Sequence, residues 1–265
     1  HDRLDDLDRM GRDTLAGLGW RDVPAPGGGL AALDAPRAEY LNWATGPDGY
    51  ASQGAVWFNP PVPVHHVAGG VEPLLVNERI VEQPFVFGAL AGLAPPARIL
   101  DVGGSESTVC LSLATLGHRV TVVDPRPYPL AHPNLVHAAC RLDELAVPAQ
   151  RFDAAVVLSA VEHFGLEHYG LERSDPRADL AALARLRELV SPGGLLVLTV
   201  PFGAAASVDD FQRVYDEAGL AELLDGWELR ASTRVGRTDR LTWELGRSSR
   251  ERHGVALVVA TAPTT

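Results

Sequence analysis

The sequence predicts an α/β protein built on a doubly wound, mostly parallel seven-stranded sheet, and three observations predict it. From Arg98 onward, apolar runs of strand length alternate with stretches of helix length. The first of these runs, Arg98 to Val102, leads straight into Gly103-Gly104 and then into a helical stretch. An acidic residue, Asp124, ends the second run roughly 20 residues past the glycines, the spacing used by open sheets that hold a ribose at their strand ends.

Taken in order, Leu4, Leu7 and Met10 have the spacing of one short helix, closed by the Pro/Gly stretch Pro24 to Gly29. Ala55 to Phe58 and Val62 to Val67 are β-rich runs, and Ala68-Gly69-Gly70 turns the chain into Val71 to Val76, the pattern of hairpins. Ile80, Val81, Phe85, Phe87, Leu90 and Leu93 suit one helix face, with Pro84 as a kink and Pro95-Pro96 as the stop. Seven strands follow: 98–102, 118–123, 135–139, 152–158, 195–200, 227–235 and 254–261. Helices are expected over 106–116, over 178–190 before Ser191-Pro192-Gly193-Gly194, and over 208–224. Residues 1–76 therefore form an N-terminal hairpin and helical appendage, and 77–265 the α/β domain.

Composition removes several functions. The chain has 265 residues, 46% of them hydrophobic, and no run near the ~20 apolar residues of a membrane helix. No basic-then-apolar leader is visible, so a cytoplasmic protein is expected. A formal charge of −11 disfavours nucleic acid. All 23 basic residues are arginine, which excludes Schiff-base chemistry and a phosphate loop ending in Gly-Lys. Two cysteines, Cys110 and Cys140, cannot frame a zinc site or a disulfide scaffold and read as reduced thiols.

The chemistry-bearing segment is Ile99-Leu100-Asp101-Val102-Gly103-Gly104-Ser105-Glu106-Ser107. Glycines there let the backbone approach a ligand. The turn lacks G-x-G-x-x-G, and Asp101 would repel a pyrophosphate while suiting an ammonium group, so a dinucleotide is disfavoured. Read without the ligand, Asp101 is a turn or cap residue.

With these residues in order, the region from about 77 to 261 resembles the class I S-adenosylmethionine-dependent methyltransferases. Asp101 and Gly103 match the family's acid-x-Gly-x-Gly-x-Gly motif, whereas Ser105 and Ser107 depart from it. Asp124 matches the ribose-binding acid, Asp143 the adenine contact after the third strand, and Leu189 to Leu196 the L-x-x-P-G-G-x-L segment. The resemblance implies S-adenosylmethionine as cofactor and S-adenosylhomocysteine as product. It implies cofactor-binding roles for Arg79, Asp101, Gly103, Gly104, Asp124, Pro125, Asp143 and Ser159, with Arg79 either meeting the methionine carboxylate or serving as a surface residue.

Glu162-His163-Phe164-Gly165 follows the fourth strand, as a similar pair does in many small-molecule methyltransferases and in cyclopropane fatty-acid synthases. His163 is the candidate general base, or else a loop-orienting residue; Glu162 orients it, contacts the cofactor or caps the helix. Trp57, Phe58, Arg213 and Tyr215 are acceptor-site candidates, with core packing, capping and stacking as alternatives. Trp243 lies in an Arg-rich insertion, 234–252, that either closes the pocket or stays solvated. His65, His66, His163 and His168 raise a metal site, but adjacent strand histidines face opposite ways and none is expected. The implied function is methylation of a small molecule, O-methylation of a sugar or specialised metabolite being favoured. N- or C-methylation and a non-catalytic cofactor-binding subunit remain as alternatives; a lipid cyclopropane synthase is disfavoured by the lack of a basic patch. A homodimer is compatible with the sequence but not required by it.

Overall fold

The computed structural model describes residues 29–52, 57–167, 175–246 and 254–264. The helix expected at Leu4 to Met10, and His168, lie outside them. Two compact units emerge, residues 29–43 with 64–72 and residues 44–63 with 73–264. In the smaller unit, helix α1 (Ala35–Ala44) is joined to the hairpin of β1 (Val64–Val67) and β2 (Gly70–Pro73). Asn42 makes the joint, its Nδ2 donating to the His66 carbonyl at 3.0 Å and its Oδ1 accepting from the His66 N–H at 2.7 Å. The expected appendage boundary at residue 76 falls inside the larger unit, which also claims Trp57 and Phe58.

The larger unit begins with helix α2 (Arg79–Leu90), which runs unbroken through Pro84. That proline lies on the exposed side, where the carbonyl it leaves unpaired can meet water. Then come β3 (Arg98–Val102), helix α3 (Val109–Thr115), β4 (Arg119–Val123), β5 (Leu135–Ala138), β6 (Phe152–Leu158), helix α4 (Ala178–Leu189) and β7 (Val190–Phe202). Two short strands, β8 (Ser207–Val208) and β9 (Arg213–Val214), precede helix α5 (Glu217–Leu223), β10 (Glu228–Arg237), β11 (Trp243–Leu245) and β12 (Gly254–Thr261).

The main sheet has the order β11-β10-β12-β7-β6-β3-β4-β5. Strands β3 to β7 pair in parallel, while β12 is antiparallel to both β7 and β10. The sheet therefore has eight strands, not seven. The eighth comes from the Arg-rich segment: Asp239 accepts the Leu241 N–H at 2.7 Å and Thr238 donates to the Thr242 carbonyl, which turns the chain back so that Trp243 pairs with Arg237. Trp243 is neither a pocket lid nor a solvated loop residue. It packs beside Val235, Val255, Leu257, Val81 and Phe85, and its Nε1 donates to the Val76 carbonyl.

Alternation of side chains along each strand supplies both faces with apolar surface. Leu100, Val157 and Leu198 pack on one face with Leu183 and Leu186 of α4 and Leu220 and Leu223 of α5. Ile99, Val156 and Val197 pack on the other with Val86 and Leu90 of α2 and Cys110 and Leu113 of α3.

Three expected helices are shorter than their patterns. The 208–224 helix begins only at Glu217, because Asp209 draws the N–H groups of Phe211 and Gln212 into a local turn. Asp216 then caps the true start by accepting from Gly219 N–H at 2.8 Å. The 106–116 helix is preceded by a 3-10 turn over Gly104–Glu106, leaving Val109–Thr115 as its α-helical part. Ser191 to Gly194 ends α4 at Leu189 but bulges within β7, tied to β12's continuation by Gly193 N–H to the Ala262 carbonyl and Ala262 N–H to the Gly194 carbonyl.

Candidate active site

Winding out from β3 to β5 and back to β6 makes β3 and β6 neighbours at which the direction of winding reverses. Ligands of open α/β sheets settle at such a point, outside the carboxyl ends of the strands. A cavity of about 320 Å³ opens there. Its wall includes Arg79, Asp101, Gly103, Gly104, Asp124, Pro125, Asp143, Ser159 and His163, each a residue that the sequence singled out.

Asp101 is the penultimate residue of β3 and is 1% exposed. Its Oδ2 has no hydrogen-bond partner, and burial pushes the carboxyl up to about 7. The following turn is shaped by close approach. Gly103 has φ +70°, and a Cβ there would stand 2.6 Å from that of Ala160; a Cβ on Gly104 would stand 2.6 Å from Asp101 Oδ2. Only glycines admit this turn, and it keeps the orphaned oxygen at the cleft wall.

Asp124, 2% exposed at the end of β4, is already engaged. Its Oδ1 accepts from the backbone N–H and Nε of Arg126, and its Oδ2 from Ser105 N–H and Arg126 Nη2. Arg126 also donates to Glu106 at 2.5 Å. Sequence reasoning missed Arg126. A guanidinium two residues past the acid, in a chain with 23 arginines, carries no mark of its own.

Asp143 is exposed and paired with Arg141 at 3.0 Å, which holds its carboxyl below the usual range. Ser159, at the end of β6, is the one non-glycine residue with positive φ among the described residues, at +40°. Such strain persists where surrounding bonds enforce it. Its N–H donates to the Thr199 carbonyl and Oγ1, and its Oγ to Glu82.

A 3-10 turn, Val161–His163, carries the Glu-His pair. His163 donates from Nδ1 to the Phe211 carbonyl at 2.6 Å and lies edge-on to the Phe211 ring. Because a carbonyl can only accept, this bond keeps the proton on Nδ1 and leaves Nε2 with the lone pair. Glu162 is 1% exposed; its Oε1 stands 3.8 Å from His163 Nε2 and its Oε2 has no partner. Burial pushes its carboxyl up to about 8, so it is largely neutral near pH 7.

The acceptor-site candidates lie elsewhere. Phe58 packs edge-on against Tyr128, and Trp57 Nε1 donates to the Thr45 carbonyl. Arg213, 5% exposed on β9 rather than on a helix, donates to the carbonyls of Glu162, Phe164 and Pro176. Tyr215 donates to Asp179 at 2.8 Å. Arg213 thus braces the turn that carries His163, Tyr215 is tied to Asp179 on α4, and neither is among the residues lining the cleft. Among the described residues, no group of three or more His, Cys, Asp and Glu side chains is gathered to hold a metal ion.

Among solved structures, the 1,6-didemethyltoxoflavin-N1-methyltransferase of Burkholderia thailandensis, with 1,6-didemethyltoxoflavin and S-adenosylhomocysteine bound, superposes with a TM-score of 0.53 at 23% identity. The match covers 70% of this chain and 80% of that one. A methyltransferase of Methanosarcina mazei matches with a TM-score of 0.51 at 15% identity, over 69% and 98% of the two chains. The fold is that of the class I methyltransferases. The [4+2]-cyclase SpnF has a TM-score of 0.54 at 17% identity, over 79% and 86%, so this methyltransferase fold also occurs in a protein named for another reaction. In sequence, a ubiquinone biosynthesis O-methyltransferase of Cereibacter sphaeroides is 32% identical over 109 residues, 38% of this chain and 39% of the relative. The match spans about two fifths of that enzyme's length. A family model described as "Caenorhabditis protein of unknown function, DUF268" matches residues 142–255.

Glu82 is a second residue that sequence reasoning missed. It is fully buried, accepts from Ser159 Oγ and Thr199 Oγ1, and pairs with Arg79 at 2.5 Å. An acid on an otherwise apolar helix face, three residues from an arginine, was its only signal.

Proposed function

We propose that the chain is an S-adenosylmethionine-dependent methyltransferase acting on a small molecule, with O-methylation of a hydroxyl on a sugar or specialised metabolite as the preferred reaction. The observation that carries the reading is the partnerless, buried Oδ2 of Asp101 beside the Gly103-Gly104 turn. A buried carboxylate calls for a cation, and the ammonium of a methionine moiety answers it. In this reading Arg79 faces the carboxylate of the same moiety, Asp124 and Pro125 line the ribose position, and Asp143 borders the adenine.

S-adenosylmethionine, when bound, supplies an electrophilic methyl group on a sulfonium centre. The chain aligns the acceptor, keeps water out and receives the acceptor's proton. His163 Nε2 is the receiving atom, since Phe211 fixes the proton on Nδ1. Isothermal titration with S-adenosylhomocysteine and with NAD tests the cofactor assignment. Binding of the first alone is expected, and binding of NAD alone would refute it. With a library of hydroxylated acceptors followed by mass, His163→Ala should lower turnover ~10²–10⁴-fold while cofactor affinity stays unchanged. Turnover equal to the wild type from pH 6 to 9 would leave His163 a loop-orienting residue.

A further inference from the structure

Three elements of the larger unit meet at one carboxylate. Glu82 projects from α2 into a place where it has no exposure, between the end of β6 and the middle of β7. One oxygen accepts from Ser159 Oγ at 2.5 Å and from Thr199 Oγ1 at 2.7 Å; the other accepts from Arg79 Nη1 at 2.5 Å. Thr199 Oγ1 in turn accepts the Ser159 N–H at 3.0 Å, the bond that holds Ser159 in its strained conformation. Glu82 lies 77 and 117 residues from these hydroxyl partners in sequence, so the tie is made by the tertiary fold.

The charges in this pocket are unequal. Glu78, Glu82 and Glu162 are the acidic neighbours of Arg79. Only Glu82 bonds to it; Glu162 is left with an unpartnered oxygen. Arg79 carries five N–H donors, lines the cleft and is 14% exposed in its side chain. A guanidinium on a flexible stem keeps one orientation only where something fixes it, and loses rotamer freedom in doing so.

We propose that Glu82 is a positioning residue. It anchors α2 to the ends of β6 and β7 and holds the Arg79 guanidinium at the cleft wall, where it meets the carboxylate of the amino-acid end of the ligand. The inference rests on the cofactor reading above and adds to it the residue through which Arg79 is aimed. Glu82 touches no ligand atom; it acts through Arg79 and, by way of Ser159, on the floor of the cleft.

Two probes separate aiming from general support. S-adenosylhomocysteine carries the amino-acid end and 5′-methylthioadenosine lacks it. Glu82→Gln keeps an oxygen for the two hydroxyls but turns an amide toward Arg79 and removes the ion pair. By calorimetry, it should weaken S-adenosylhomocysteine about ten- to a hundredfold, the scale for lost charged hydrogen bonds, and change methylthioadenosine by less than about threefold. Equal loss for both ligands, or loss for neither, overturns the proposal. A wild-type protein that binds neither ligand overturns the cofactor reading itself, which is a different result. If Glu82→Gln does not fold, the joint change Arg79→Met with Glu82→Met removes both charges at once, a replacement that buried pairs often tolerate. Its loss of S-adenosylhomocysteine affinity should equal that of Arg79→Met alone. A larger loss, or one shared by methylthioadenosine, shows that Glu82 does not work through Arg79.

Discussion

At the scale of single residues, the cleft is organised by carboxylates that differ in what satisfies them. Glu82 has three partners, Asp124 accepts four hydrogen bonds, and Asp101 and Glu162 each retain one orphaned oxygen. Asp124 is the unexpected member. A ribose at this position must share or displace the Arg126 guanidinium, since only the two backbone N–H contacts are fixed by the chain. Arg126→Ala should therefore raise affinity for S-adenosylhomocysteine, by up to about tenfold, because it removes a competitor worth about one charged hydrogen bond. Titration calorimetry reads this directly. Weaker binding would mean that the arginine itself contacts the ligand. Asp124 was legible as the acid at a strand end; its partner was not, because side-chain pairing two residues along a loop leaves no periodic trace.

Among elements, caps and turns decide where helices begin. The apolar pattern of 208–224 extends over two turns more than α5 does, and the difference lies in Asp209 and Asp216. Asp216→Ala should lower the urea unfolding midpoint, as loss of an N-cap acid does, without altering cofactor affinity. Its carboxyl also accepts from Ala206 N–H, so an unchanged midpoint would show that both contacts are negligible. The β3–glycine–helix unit and the apolar strands were plain from the sequence, since local pattern and burial agree there. The Arg-rich segment was opaque. An edge strand of three residues packs a single aromatic, Trp243, and exposes the rest, so it has no alternation to read.

Across the whole molecule, buried acids couple stability to pH. The carboxyls of Asp101 and Glu162 are raised from 3.8 to about 7 and from 4.5 to about 8 by burial. Between those limits the folded chain retains protons that the unfolded chain releases, so stability falls as pH rises. Both acids thus stabilise fully below pH 4 and lose that contribution progressively toward pH 8. Urea midpoints measured from pH 5 to 8.5 should decline for the wild type, and less steeply for Asp101→Asn and Glu162→Gln. Slopes identical in all three proteins would show that neither acid is neutral when folded.

The order of the main strands and helices in the sheet domain, the glycine turn, and the acids Asp101 and Asp124 beside the cleft were legible in the sequence itself. They depend on local rules: apolar period, glycine at a close approach, and an acid at a strand end. Only the tertiary structure decided which side chains those residues answer to. Glu82 meets Ser159 and Thr199, Arg213 braces the turn that carries His163, and Phe58 packs on Tyr128. Each of these contacts joins residues tens of positions apart, and a bond of that kind is set by how the layers stack, which no local pattern records.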